Sequence, residues 1–157
     1  ILDLRNNGGG YLDTAIEVVS QFIPSGRVMI EQLGTGEEVN YDALPGGSAI
    51  DIPLVVLVNE GSASASEITA GAIQDLGRAK LVGTTTYGKG SVQNWIPLKD
   101  NQGAVKVTIA RWLTPNGRQI NGVGLTPDIV VELTEEDIAA ERDPQLQKAI
   151  DLLLGKE

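Results

Sequence analysis

Three observations predict an α/β fold that carries one antiparallel strand pair. Residues 54–58 form an unbroken apolar run between Pro53 and Asn59, the pattern of a strand buried on both faces. Ala65, Ile68, Ala72, Ile73 and Leu76 then recur at helical spacing until Gly77. Farther along, residues 91–98 and 103–113 read as two extended arms joined across Lys99, Asp100, Asn101 and Gln102.

Residues 1–4 predict a strand. Leu12, Ala15, Ile16, Val19, Phe22 and Ile23 make an amphipathic helix ended by Pro24 and Gly26. Residues 27–33 and 37–41, joined by Gly34-Thr35-Gly36, predict a hairpin, and residues 42–53 a loop centred on Pro45-Gly46-Gly47-Ser48. A short strand follows at 80–83. In the arm 103–113, Val105, Val107 and Ile109 alternate with Lys106 and Thr108, which predicts one buried face. Residues 128–133 form an edge or closing strand. Asp143 is an N-cap with Pro144 at the first helical position, ahead of Leu146, Ala149, Ile150, Leu153 and Leu154. No internal repeat or low-complexity tract interrupts this order.

At 157 residues and 41% hydrophobic, the chain can bury one core without disulfides. Its 12 basic and 21 acidic residues, net −9, argue against non-specific nucleic-acid binding and against contact with anionic membranes. Glu132, Glu135, Glu136, Asp137, Glu141 and Asp143 carry much of that excess and read as a solvated face. No run reaches membrane-spanning length, so no membrane insertion by these residues is expected. With neither histidine nor cysteine and no calcium-loop pattern, neither a metal site nor a cofactor is expected.

The same absence restricts nucleophilic chemistry. Ser62, Ser64 and Ser66 lie in a small-residue segment where the strand at 54–58 hands over to a helix. The free N–H groups and positive dipole end of a helix N-terminus suit a developing oxyanion. No imidazole can activate a serine here, and lysine is the usual substitute. Lys89 stands in Gly88-Lys89-Gly90-Ser91-Val92-Gln93. A lysine is protonated in water, so a base role requires burial of the amine. If a strand begins at Lys89, the period of two puts Lys89, Ser91 and Gln93 on one face, where Gln93 can hydrogen-bond the amine. Gly88 and Gly90 would then let backbone come close to a bound peptide.

Plainer readings stand beside these. Ser64-Ala65-Ser66-Glu67 is also a capping box, and spacing does not separate Ser64 from Ser62 or Ser66. Lys89 reads equally as a solvated lysine in a glycine turn. Residues 83–90 approach a phosphate-binding G-x-x-x-x-G-K-[ST] loop, but Gly90 replaces the hydroxyl residue and an extended segment follows. Residues 6–10 can be only a tight turn, Asp3 and Arg5 a structural ion pair, and Asp75 a packing carboxylate.

Four motifs in order, Leu2-Asp3-Leu4-Arg5-Asn6-Asn7-Gly8-Gly9-Gly10, Gly61-Ser62-Ala63-Ser64-Ala65-Ser66-Glu67, Gly88-Lys89-Gly90-Ser91-Val92-Gln93, and Leu113-Thr114-Pro115-Asn116-Gly117-Arg118 with Gly124-Leu125-Thr126-Pro127-Asp128, resemble the C-terminal processing, or tail-specific, proteases. The resemblance covers nearly the whole chain. It implies a ClpP/crotonase-like superhelical protease core and a Ser–Lys dyad of Ser64 and Lys89, with Gln93 orienting the lysine. It further implies an oxyanion hole from the N–H of Ala65 and of Gly9 or Gly10, with Glu67, Asp75 and Thr86 as supporting residues. Gly8 departs from the proline usual in the family.

The resulting expectation is a serine endopeptidase that cleaves protein or peptide substrates near their C-termini. Residues 1–157 would be a partial catalytic domain, incomplete at its N-terminus and lacking an upstream PDZ domain, from an extracytoplasmic protein that can form oligomers. The alternatives are a non-catalytic peptide-binding or scaffolding fragment and a crotonase-like acyl-thioester enzyme.

Overall fold

The computed structural model describes residues 1–156. Two four-stranded sheets organise the chain. The first is parallel, with order β1 (Leu2–Asp3), β4 (Val55–Val58), β5 (Lys80–Gly83) and β8 (Ile129–Val130). The second is antiparallel, with order β3 (Glu38–Asp42), β2 (Arg27–Leu33), β7 (Ala104–Leu113) and β6 (Ser91–Pro97). Between them in sequence lie α1 (Leu12–Phe22) and α2 (Ala65–Asp75), followed late in the chain by α3 (Glu135–Ala139) and α4 (Pro144–Leu153).

β4 is one of the two inner strands of the first sheet and is covered on both faces, which is why its sequence is apolar without alternation. Val56 and Val58 enter the main core with α1 and α2, whereas Val55 and Leu57 pack with Val82 and with Ala149 of α4. The four valine and leucine side chains are all buried. By the transfer scale, each contributes about 1.5–3 kcal/mol relative to exposure.

α2 lies beneath both sheets and is buried from Ala65 to Ile73. Its small residues follow from that crowding. A methyl at Gly71 would approach Thr114 Cγ2 to 3.1 Å and Leu125 Cδ1 to 3.4 Å. Asp75 closes the far end of α2 by accepting the Asn116 N–H at 2.9 Å and pairing with Arg118, as a packing carboxylate should. The Asp3–Arg5 ion pair also forms, and Arg5 extends it to Asp143 at 2.9 Å and to Gln145. That link ties β1 to the start of α4, where the Asp143 carboxylate caps the Leu146 N–H at 2.9 Å.

Three expectations need correction. The face of Val105, Val107 and Ile109 is not buried: these side chains are 47%, 37% and 43% exposed. The strand pair 91–113 projects past the core, and only Ala110 and Trp112 of β7 return to it. A β-bulge at Ile109 marks the change, because Val92 pairs with Ala110 but Gln93 with Thr108. The second correction is the closing strand expected over 128–133, of which only Ile129–Val130 forms β8, whereas the acidic stretch beyond it is solvated as expected and folds in part as the exposed helix α3. Thr134 accepts the Asp137 N–H at 3.1 Å while Asp137 receives the Thr134 N–H at 3.2 Å, and acidic residues suit a helix's first turn. Third, the strand after the glycine turn starts at Ser91, not Lys89.

Candidate active site

The site begins where β4 ends. Ser62 is fully buried, and its hydroxyl is occupied, donating to the Leu4 carbonyl at 2.7 Å and accepting the Asn59 N–H at 3.0 Å. Ser66 is buried on the first turn of α2. Ser64 differs from both. It stands half-buried at the junction with φ 57° and ψ −117°, a conformation rarely adopted by a residue with a side chain. Such backbone costs of order 1–3 kcal/mol and persists only where the surroundings enforce it, commonly at functional turns. Ala63 and Ala65 flank it, as a sharp strand-to-helix turn requires, and that run of small residues is the one sequence signal for the strain.

The capping reading is half fulfilled. The Ser64 N–H donates to Glu67 Oε2 at 2.9 Å, and the Glu67 N–H goes to the Ser64 backbone carbonyl, also at 2.9 Å. The Ser64 hydroxyl faces the same turn as in a capping box but makes no cap hydrogen bond. It remains available to the cleft it lines.

Glu67 holds the site together. The fully buried carboxylate accepts four hydrogen bonds: at Oε1 from Thr86 Oγ1 (2.5 Å) and the Gly88 N–H (2.7 Å), and at Oε2 from the Ser64 N–H and the Lys89 N–H (2.8 Å). One side chain therefore connects the backbone of Ser64 to that of Lys89. Thr86 is buried and extends the network by accepting the Leu125 N–H at 2.7 Å.

Lys89 and Gln93 line one cleft of about 260 Å³ with Ser64, Ser91, Val92, Trp95, Lys106 and Trp112, although the strand starts two residues later than the period-two alignment requires and the hydrogen bond expected from Gln93 to the Lys89 amine does not form. Lys89 is exposed, contrary to the burial expected for it, and no hydrogen bond joins its amine to Ser64. Gly88 and Gly90 make a close approach within the chain itself. A Cβ at Gly90 would fall 2.4 Å from the Asn121 nitrogen, and one at Gly88 (φ +86°) 2.9 Å from that of Gly124. These glycines admit the 121–124 loop.

On the other side of Ser64, Gly9 has φ +98°, and a Cβ there would lie 2.6 Å from the Ala63 carbonyl and 2.8 Å from the Ala65 nitrogen. Only glycine fits. Its N–H is committed to Asn7 Oδ1 at 3.0 Å, whereas among the described residues no acceptor faces the N–H of Gly10 or of Ala65. Gly10 and Ala65 border a small apolar pocket of about 130 Å³ with Thr14, Val18 and Thr69. Among the described residues, no group of three or more carboxylate, histidine or cysteine side chains is placed to hold a metal, and no helix is long and apolar enough to cross a membrane.

Comparison with known proteins follows the same outline. Residues 1–131 match Peptidase family S41. A carboxy-terminal-processing protease of Bartonella bacilliformis is 45% identical over 99% of this chain and 34% of its own length. A carboxyl-terminal-processing protease of Synechocystis sp. is 44% identical over 99% of the chain and 36% of its own. Among solved structures, the photosystem II D1 C-terminal processing protease superposes with a TM-score of 0.79 and 40% identity, covering 83% of this chain and 34% of that one. The chain thus spans about a third of the length of these relatives.

Proposed function

Because the chain belongs to peptidase family S41, we propose that it supplies the nucleophilic half and the general base of a serine endopeptidase acting near the C-termini of protein or peptide substrates. The observation that carries this reading is the strained Ser64, whose hydroxyl opens onto a cleft shared with Lys89. Ser64 attacks the scissile carbonyl. Lys89, as the free amine, takes the hydroxyl proton and returns it to the leaving amine, and Gln93 orients Lys89. The N–H groups of Ala65 and Gly10 receive the oxyanion; Gly10 is preferred to Gly9 because the Gly9 N–H is already bonded to Asn7. Glu67 and Thr86 keep the two loops in register, and Asp75 anchors the end of α2.

The pocket beside Gly10 and Ala65 takes the side chain preceding the scissile bond. It is well below the roughly 300 Å³ of a typical small-molecule site, so it suits one small apolar side chain. Exposure of Lys89 implies that substrate, or residues beyond those described, completes the desolvation its base role needs. The strand-then-helix units β1–α1 and β4–α2, feeding adjacent parallel strands, support the ClpP/crotonase type of superhelical core. An extracytoplasmic location and an oligomeric state are part of the same reading, drawn from family resemblance.

The test compares Ser64→Ala, Ser62→Ala and Ser66→Ala in the protein as its gene encodes it, with an unstructured peptide as substrate. Ser64→Ala should lower hydrolysis by about 10⁴-fold or more while melting like wild type. Ser62→Ala should keep the chemistry but lose about 1–3 kcal/mol of stability, since the Leu4 carbonyl loses its buried donor. Normal cleavage by Ser64→Ala would return Ser64 to a structural role.

A further inference from the structure

The cleft that Ser64 and Lys89 share is opposite in charge to the chain around it. The chain carries net −9, yet residues 89–111 hold Lys89, Lys99, Lys106 and Arg111 against Asp100 alone. Two of these cations, Lys89 and Lys106, line the cleft, and no carboxylate does. Lys106 comes from β7 directly opposite Trp95 of β6, and its amine lies 5.6 Å from the Trp95 ring centroid. Among the described residues Lys106 has no acidic partner. A lysine resting on an aromatic face is oriented without being neutralised. Trp95 is itself 63% exposed and flanks the same opening, so the pair forms an open rim and not a piece of core.

We propose that Lys106, seated on Trp95, is a carboxylate subsite of the Ser64–Lys89 cleft. It receives a carboxylate from the bound peptide, either its terminal α-carboxylate or an Asp or Glu side chain. This rests on the protease reading, which supplies a peptide as the occupant; in an unmodified peptide, carboxylates are the only anionic groups at neutral pH apart from rare ionised thiols. The position also separates the subsite from the small apolar pocket. That pocket is formed by α1, the 7–11 turn and α2, whereas Lys106 approaches Ser64 from the projecting strand pair. Peptide residues on the two sides of the attacked bond would therefore meet different selection, small and apolar on one side and anionic on the other.

The experiment uses the protein as its gene encodes it, with two pairs of peptides. One pair differs only in a free or amidated C-terminus close to the cleaved bond, the other in Asp against Asn within an amidated peptide. The preference for each carboxylate form is read as a ratio of kcat/KM, and again as a ratio of affinities for the Ser64→Ala protein followed by tryptophan fluorescence, because Trp95 and Trp112 both border the cleft. Wild type should prefer the carboxylate in at least one pair by about three- to tenfold, as a partly exposed charge-assisted contact allows. Whichever pair shows the preference identifies the source of the carboxylate. Lys106→Arg should keep the ratio, Lys106→Gln should bring it close to one, and Lys106→Glu should invert it. A ratio unchanged in Lys106→Gln, or the absence of any preference in wild type, overturns the subsite. Neither result touches the protease reading, which fails only if hydrolysis survives in Ser64→Ala.

Discussion

The two sides of the cleft are built differently. Around Ser64 the chain is buried, the Glu67 carboxylate accepts four hydrogen bonds, and no buried side-chain polar atom of the described residues is left without a partner. Around Lys89 and Gln93 the side chains are exposed, and the strand pair beyond them keeps apolar groups in solvent on one face and Trp95 with Lys106 on the other. Backbone as strained as that at Ser64 persists only where packing enforces it. A base must lose its water, which can happen as late as substrate binding. Under the proposed mechanism, the serine turn would be preorganised and the lysine left for substrate to enclose.

The largest effect expected from that contrast is at Lys89. Lys89→Arg keeps the positive charge but cannot supply an unprotonated nitrogen, so turnover should fall by about 10²–10⁴-fold with the melting temperature unchanged. If Lys89→Arg retains most activity, the exposed side of the cleft contributes electrostatics alone and the dyad mechanism is wrong.

Glu67→Gln should be felt on both sides. Each carboxylate oxygen accepts two donors, so an amide nitrogen at the Oε2 position would face the N–H groups of Ser64 and Lys89, and one at the Oε1 position the N–H of Gly88, with no lone pair to accept them. The cost should be about 2–4 kcal/mol of stability, measured by denaturant unfolding, together with a drop in kcat as the Lys89 loop loses its tie to the Ser64 turn. A variant with wild-type stability would mean that the serine turn is not held by this carboxylate.

The elements that set this architecture were legible wherever a local pattern had one physical cause. Unbroken apolarity at 54–58 meant burial on both faces, as Val55–Val58 have, and Asp143-Pro144 meant a capped helix start. The same logic failed at Val105, Val107 and Ile109, because alternation shows that a strand has two chemically different faces and not that anything covers the apolar one. Likewise, Gly88 and Gly90 signalled a close approach without saying what approaches; it is the loop at 121–124, about thirty residues later in the chain. The strain at Ser64 was hidden for a similar reason. It arises where Asn7, Gly9, Ser62 and Glu67 converge, and only the small size of the flanking residues betrays it.

Replacing valine by threonine at two places measures that difference in cover. Val56→Thr puts a hydroxyl into the fully buried centre of the parallel sheet and should cost about 1–3 kcal/mol. Val107→Thr makes the same change on the projecting strand pair, where the side chain is already 37% exposed, and should stay within about 0.5 kcal/mol. Comparable costs at both positions, from chemical denaturation, would show that the strand pair is covered in solution.

The smallest effect concerns acid. The Arg5 guanidinium hydrogen-bonded to Asp3 holds that carboxyl below its ordinary 3.8, against a smaller opposing effect of burial, and Arg5 is raised by the same contact. A carboxyl with a lowered folded-state value binds its proton more readily in the unfolded chain. Its stabilising contribution is therefore complete above 3.8 and disappears as pH falls through the lower folded-state value. Since the Asp3 side chain is 46% exposed, the whole contribution should be under about 1 kcal/mol. The stability difference between wild type and Asp3→Asn should accordingly be constant from pH 7 down to about 5 and shrink from there toward pH 3. A difference that grows on acidification has the wrong sign for an ion pair and would show that Asp3 is strained by its surroundings. In that case the well-satisfied side of the molecule would itself contain a second stressed position beside Ser64.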